Sequence, residues 1–258
     1  MINFVVKYCQ MFRHKGKKRT YRHNLRLASL LSLVAGTVNI TGVLSVNVLT
    51  TNVTGHFAYF GEQFSSGNYN QAVNFLLFIL SFLAGSFVSN FLIETISRNR
   101  SRHIYLIPIL IEAILLSFAA TIGINHFMFF SKEMIALILL FSMGLQNALV
   151  TKASQSVVRT THLTGLFTDL GIESSQFFFY RKIRDVQPLI KSIKLKIAII
   201  ICFFGGCVAG GFLFSKMRFY TLFFSVALLV IALLYDTILL HFYHLKRRLP
   251  KPLLTKNK

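Results

Sequence analysis

The 258 residues are 54% hydrophobic and 14% charged, include 27 Phe and no Trp, and have a mean hydropathy of +0.59. Soluble domains carry about a quarter charged residues and disordered chains are poor in aromatics, so both classes are excluded and a membrane is indicated. The 28 Lys and Arg against 8 Asp and Glu give a charge of +20, which in a polytopic protein reflects basic cytoplasmic segments rather than a nucleic-acid partner.

The basic stretch from His14 to Arg26 precedes the first apolar segment and no small-residue cleavage site follows. Residues 1–26 therefore read as a cytoplasmic segment leading into a retained anchor. A helix needs about 20 residues to cross a hydrocarbon core of about 30 Å. Six segments qualify: Leu27 to Val46, Gln71 to Ile93, Ile104 to Ile124, Glu133 to Val150, Leu195 to Ser215 and Phe219 to Tyr243. With a cytoplasmic N-terminus, 25 of the basic residues fall inside and only Lys132, Lys216 and Arg218 outside. That asymmetry predicts six crossings of a bacterial cytoplasmic membrane with both termini in the cytoplasm.

The chain repeats itself. Thr50 to Gly61 matches Thr160 to Gly171 with six identities in twelve positions, including Thr50/Thr160, Thr51/Thr161, Thr54/Thr164 and Gly55/Gly165. Ala28, Leu31, Gly36 and Asn39 match Ala136, Leu139, Gly144 and Asn147 at an offset of 108. The stripe Ser81, Gly85, Ser89 returns 121 positions later as Cys202, Gly206, Gly210. Stripes of small residues are close-packing seams between helices.

These matches predict one all-α transmembrane domain over residues 27–243. Repeat 1 covers about 27–124 and repeat 2 about 133–243, with a basic cytoplasmic insertion near 172–196 and a basic tail at 244–258. Three crossings per half make the two repeats inverted, an arrangement that recurs in secondary transporters. The two Thr-Gly segments are too short to cross and read as broken or re-entrant elements.

Candidate substrate-binding residues follow from the repeat: Asn39, Thr50, Thr51, Thr54 and Gly55 from one half, Asn147, Thr160, Thr161, Thr164 and Gly165 from the other. Thr hydroxyls can coordinate a ligand where a broken helix leaves backbone unpaired, and Gly reaches angles other residues avoid. Helix capping and packing explain the same residue types. Ser32, Thr37, Thr41, Ser142 and Gln146 also belong on the bundle interior, where hydrogen bonds between helices use them.

Glu112, the ninth residue of the third segment, falls near the midplane, where an acid costs a few kcal/mol (about 3) unless paired or protonated; it is the proton- or cation-coupling candidate. Asp236 lies close to His241, His244 and the basic tail, as a snorkelling ion pair would. Asp169 has Ala58, offset by 111, rather than an acid as its counterpart. His56 and His162 are not equivalent and lack Cys or His at ligand spacing, so no metal is expected.

Cys9, Cys202 and Cys207 form no CxxC pair. With no P-loop, HExxH or nucleophile elbow, neither a cofactor nor an enzymatic activity is expected.

Ala35-Gly36 with Asn39, Asn52-Val53-Thr54-Gly55-His56 with Gly61, Gly144 with Gln146-Asn147, and Thr160 to Gly165 together carry a resemblance. The sequence resembles the YoaK-like family of bacterial integral membrane proteins, a domain-of-unknown-function family, over about Leu27 to Tyr243. In that family the first motif usually reads Thr-Gly-Asn, with an Asp near the start of the first span; here His56 and Asn39 stand at those places. The resemblance implies a protein of the cytoplasmic membrane and supplies no substrate.

The expected function is alternating-access transport of an unidentified small molecule or ion. A non-transporting interaction protein or subunit of a membrane complex is the rival. Membrane lipids are the expected partners, with anionic headgroups at the basic cytoplasmic segments.

Overall fold

The computed structural model describes residues 21–98, 105–125, 131–154, 160–181 and 185–233. The basic N-terminal segment, the tail, and Asp236 with His241 and His244 lie outside the described residues. Among the described residues the chain is helical, with no strand.

In chain order the helices are α1 (Tyr21–Val46), α2 (Val53–Ser65), α3 (Tyr69–Arg98), α4 (Leu106–Asn125), α5 (Lys132–Ser154), α6 (Leu163–Tyr180) and α7 (Gln187–Met217). A 3-10 turn, Arg218–Tyr220, then leads into a last helix, α8, over residues 221–233.

Five helical stretches are long and apolar enough to cross a membrane: Asn24–Val46, Tyr69–Arg98, Leu106–Ile124, Lys132–Ser154 and Gln187–Leu233. The last runs for 47 residues, about 70 Å at 1.5 Å per residue and more than twice a bilayer core. It is broken at Arg218, where φ is 50°, and Leu222, Leu229 and Ala232 beyond the break are completely buried.

The outside of the bundle is apolar. Phe204 on α7 is 68% exposed and Phe212 71% exposed, and Phe87, Phe91 and Ile114 project similarly from α3 and α4. Water would penalise so continuous an apolar surface, whereas hydrocarbon does not.

The closest packing pairs α1 with α7 and α3 with α5. Both contacts are made by glycines, because only a residue without a Cβ lets two helix backbones meet. A Cβ on Gly36 would collide with the Phe203 carbonyl, and one on Gly206 with the Leu33 carbonyl. In the other pair, Gly144 faces the Phe82 carbonyl and Gly85 the Phe141 carbonyl.

The small-residue stripes are therefore the seams expected of them. Ser81 adds a bond to the Leu137 carbonyl at 2.8 Å, and Cys207 Sγ lies 3.4 Å from the Gly36 carbonyl.

Two helices are short, with 13 residues in α2 and 18 in α6. Each folds back along the helix that follows it, α2 along α3 and α6 along α7. The α2–α3 turn closes with Gly67 at φ 77°. Its amide donates to the Phe64 carbonyl and that of Asn68 to the Gln63 carbonyl, which is the Schellman arrangement.

Within the stretch 172–196, α6 continues to Tyr180 and α7 begins at Gln187, with residues 182–184 between them outside the described residues. Charge at Arg181, Lys182 and Arg184 gives this connection its loop-like composition, while Phe177 to Tyr180 extend the helix.

Candidate functional site

A cavity of about 580 Å³ opens where α2 and α6 begin. Twelve of its fourteen lining residues fall into pairs at matched sequence positions, Asn39 and Asn147, Thr51 and Thr161, Asn52 and His162, Val53 and Leu163, Thr54 and Thr164, Phe82 and Phe203, with Leu49 and Thr151 unpaired. Phe82 lies near the middle of α3 and Phe203 near the middle of α7. The first turns of the two short helices thus stand about halfway along the long helices they pack on.

The polar contacts repeat as well. Asn39 Oδ1 accepts from the Thr51 amide at 3.2 Å and from the Thr51 hydroxyl at 3.0 Å. Asn147 Oδ1 accepts from the Thr161 hydroxyl at 2.9 Å. Each Asn thus ties the segment before a short helix to the long helix before it. Both Asn side chains stand on the cavity wall, and that of Asn39 also hydrogen-bonds the Cys207 thiol.

The two halves differ at the caps. Asn52 is the N-cap of α2 and its Oδ1 accepts from the Gly55 amide at 3.1 Å and the Thr54 hydroxyl at 2.7 Å. His162 stands at the N-cap of α6 without a side-chain cap bond, its ring lying over Gly165. Free amides at the start of a helix carry about half a positive charge, so both short helices present their positive ends at the cavity.

The expected site residues divide. Asn39, Thr51, Thr54, Asn147, Thr161 and Thr164 line the cavity. Thr50 and Thr160 are completely buried, are not among its lining residues, and have hydroxyls without a hydrogen-bond partner among the described residues. The Thr50 methyl packs on Gly42. Gly55 and Gly165 also lie off the lining, Gly55 giving its amide to the cap and Gly165 making room for the His162 ring.

Glu112 is completely buried, its two carboxyl oxygens have no partner among the described residues, and it borders neither this cavity nor the larger one at the far ends of the helices.

Lining residues outside the expected set are Leu49, Asn52, Val53, Phe82, Thr151, His162, Leu163 and Phe203. The offset of 121 that aligns the two small-residue stripes also pairs the two Phe, but 27 Phe leave such a match without contrast.

The remaining interior polar residues serve packing. Thr37 donates to the Leu33 carbonyl at 3.0 Å, Thr41 to the Thr37 carbonyl at 2.8 Å, Ser142 to the Ile138 carbonyl at 2.8 Å and Gln146 to the Leu31 carbonyl at 2.9 Å. Ser32 is completely buried and its hydroxyl has no partner among the described residues.

His56 Nε2 lies 2.8 Å from the Leu49 carbonyl, to which it must donate, and its ring packs on Phe75 and Phe78. Lys196 pairs with Glu173 at 2.7 Å and approaches Asp169 at 4.0 Å. At the offset of 110 that aligns the two Thr-Gly segments the counterpart of Asp169 is Tyr59 rather than Ala58, and at the offset of 121 that of Lys196 is Phe75; the two rings stack at 5.3 Å.

Comparison with known proteins agrees with this architecture. The profile of a family described as "Protein of unknown function (DUF1275)" matches residues 27–235. A protein of Bacillus subtilis (strain 168), the UPF0700 transmembrane protein YoaK, is 24% identical over 189 residues, covering 73% of this chain and 82% of the relative. No solved structure matches the chain.

Proposed function

This chain belongs to the DUF1275 family, a YoaK-like family of membrane proteins, and we propose that it carries a small polar solute across the bacterial cytoplasmic membrane by alternating access. In this reading the break at Arg218 separates a fifth crossing, α7, from a sixth that begins at Phe219. Both termini are cytoplasmic, and the two halves are inverted three-span repeats with α2 and α6 re-entrant from opposite faces.

The observation that carries the proposal is the pairing of the cavity wall: six residues from one half face their six sequence counterparts from the other. Repeats related by an in-plane pseudo-two-fold axis place a shared site at the midplane, and half-helix N-termini there favour solutes with negative or acceptor groups. Thr51, Thr54, Thr161 and Thr164 supply hydroxyls, and Asn39 and Asn147 supply amide donors. Glu112, away from the cavity, is the group that would take up a proton or a cation as the halves exchange.

Flux into proteoliposomes over a panel of small polar solutes tests this. Wild type should move at least one solute class, Asn39→Leu and Asn147→Leu should each reduce that flux tenfold or more, and Glu112→Gln should remove its coupling to a proton or cation gradient. Absence of flux for every solute class, with a stoichiometric protein partner recovered in mild detergent, would replace the proposal with that of a complex subunit.

A further inference from the structure

A second cavity, larger than the first, lies elsewhere. It encloses about 730 Å³ where the last turns of α1, α4 and α7 meet the first turn of α5 and the 3-10 turn. Three cations border it, Lys132, Lys216 and Arg218, over an apolar floor that includes Leu44, Ile122 and Phe219. Among the described residues none of the three makes a salt bridge. The nearest carboxylate in sequence, Glu133, is not part of the lining.

The helix ends do not account for this charge. Three C-termini contribute about half a negative charge each and the first turn of α5 about half a positive charge, and Glu133 beside Lys132 adds a full negative one, roughly −2 in total against three full positive charges. The cavity therefore keeps a positive excess of about one charge beside an apolar floor, at the level where long apolar helices end. In the proposed topology these are the only basic residues of the outer face, although the inference does not require that topology.

We propose that this cavity binds one anionic phospholipid, with Lys132, Lys216 and Arg218 around the phosphate and the first segment of an acyl chain against Leu44, Ile122 and Phe219. A phosphate alone would use the cations and leave the apolar floor exposed, whereas a zwitterionic lipid would bring a second cation into an already positive cavity. The backbone at Arg218 fits the same picture. Its φ of 50° and ψ of −132° lie where residues with a Cβ are rarely found, and it turns the chain where its guanidinium borders the cavity.

Native mass spectrometry of the full-length protein in mild detergent tests the site, with phosphatidylglycerol, phosphatidylcholine and inorganic phosphate added separately. Phosphatidylglycerol should be retained at least tenfold more than phosphatidylcholine. The combined variant Lys132→Gln, Lys216→Gln and Arg218→Gln should lose that preference, while Lys191→Gln with Lys194→Gln on the opposite end of α7 keeps it. Leu44→Glu, at a half-exposed position of the apolar floor, should weaken retention with all three cations in place, and so reports on the site if the triple variant folds poorly.

Equal retention of both lipids would overturn the proposal. So would equal losses in the two sets of lysine variants, or full displacement of the lipid by millimolar phosphate. Solute flux is not a readout here, so failure of the transport reading and failure of the lipid site are seen separately.

Discussion

The Asn147 side-chain oxygen accepts a hydrogen bond from the Thr161 hydroxyl at 2.9 Å, and 108 residues earlier Asn39 makes the same contact with Thr51 at 3.0 Å. One amide side chain thus fixes each short helix against the long helix before it. A partly buried bond of this kind contributes about 0.5 to 1.5 kcal/mol. Asn39→Leu and Thr51→Val should each destabilise the protein by about that much, and their double-mutant cycle should show a coupling of about 1 kcal/mol. Denaturant unfolding in detergent measures it, and the Asn147/Thr161 cycle should match.

The glycines at the seams and those at the surface should respond oppositely to one added methyl. Gly36→Ala and Gly144→Ala place a Cβ against a carbonyl of the facing helix, and overpacking of this kind costs about 1 to 3 kcal/mol. Gly205, on the same α7 as the seam, has nothing within 4 Å of its Cβ position. Gly205→Ala should therefore stabilise the protein by up to about 1 kcal/mol through helix propensity. Thermal unfolding of the three variants in one detergent is the comparison.

The caps of the two short helices predict a transferable stabilisation. Asn52→Ala removes the acceptor for the Gly55 amide and should cost about 0.5 to 2 kcal/mol. His162 makes no such bond, so His162→Asn should gain up to about 1 kcal/mol by copying the first cap. Opposite shifts in unfolding temperature would be seen.

Glu112 holds its carboxyl in the core with no partner among the described residues. An unpaired polar group in such surroundings costs about 1 to 3 kcal/mol. Glu112→Gln and Glu112→Leu should leave the protein folded, and Glu112→Leu should raise its stability. A gain in stability together with a loss of gradient-driven flux would mark a group retained for coupling rather than for structure.

Much of this was legible in the sequence because the repeat carried it. Matching offsets picked out Asn39 with Asn147 and the two Thr-Gly motifs, and all but the buried threonines and glycines of that set line one cavity. The doubled threonines concealed a division of labour. In the turn before each short helix neighbouring side chains point apart, so Thr51 and Thr161 reach the Asn oxygens while Thr50 and Thr160 are buried.

The basic region after Ile172 was less legible, because its charges marked a cytoplasmic insertion without showing how much of it is helix. The growing offset is absorbed by a longer α6, 18 residues against 13 in α2, and by the connection and first turns of α7. The charge count grouped Lys132, Lys216 and Arg218 on one face, but not in one cavity, since Lys132 is 84 positions from Lys216 and only folding brings their helix ends together.

The central claim is that α2 and α6 enter from opposite sides of the membrane. Single cysteines at Ser66, in the turn after α2, and at Asp185, in the connection after α6, should be introduced into a chain lacking Cys9, Cys202 and Cys207. They would then be treated with a membrane-impermeant maleimide in intact cells and again after permeabilisation. The account predicts that Ser66→Cys is labelled in intact cells and Asp185→Cys only after permeabilisation. Labelling of both from the same side would contradict it.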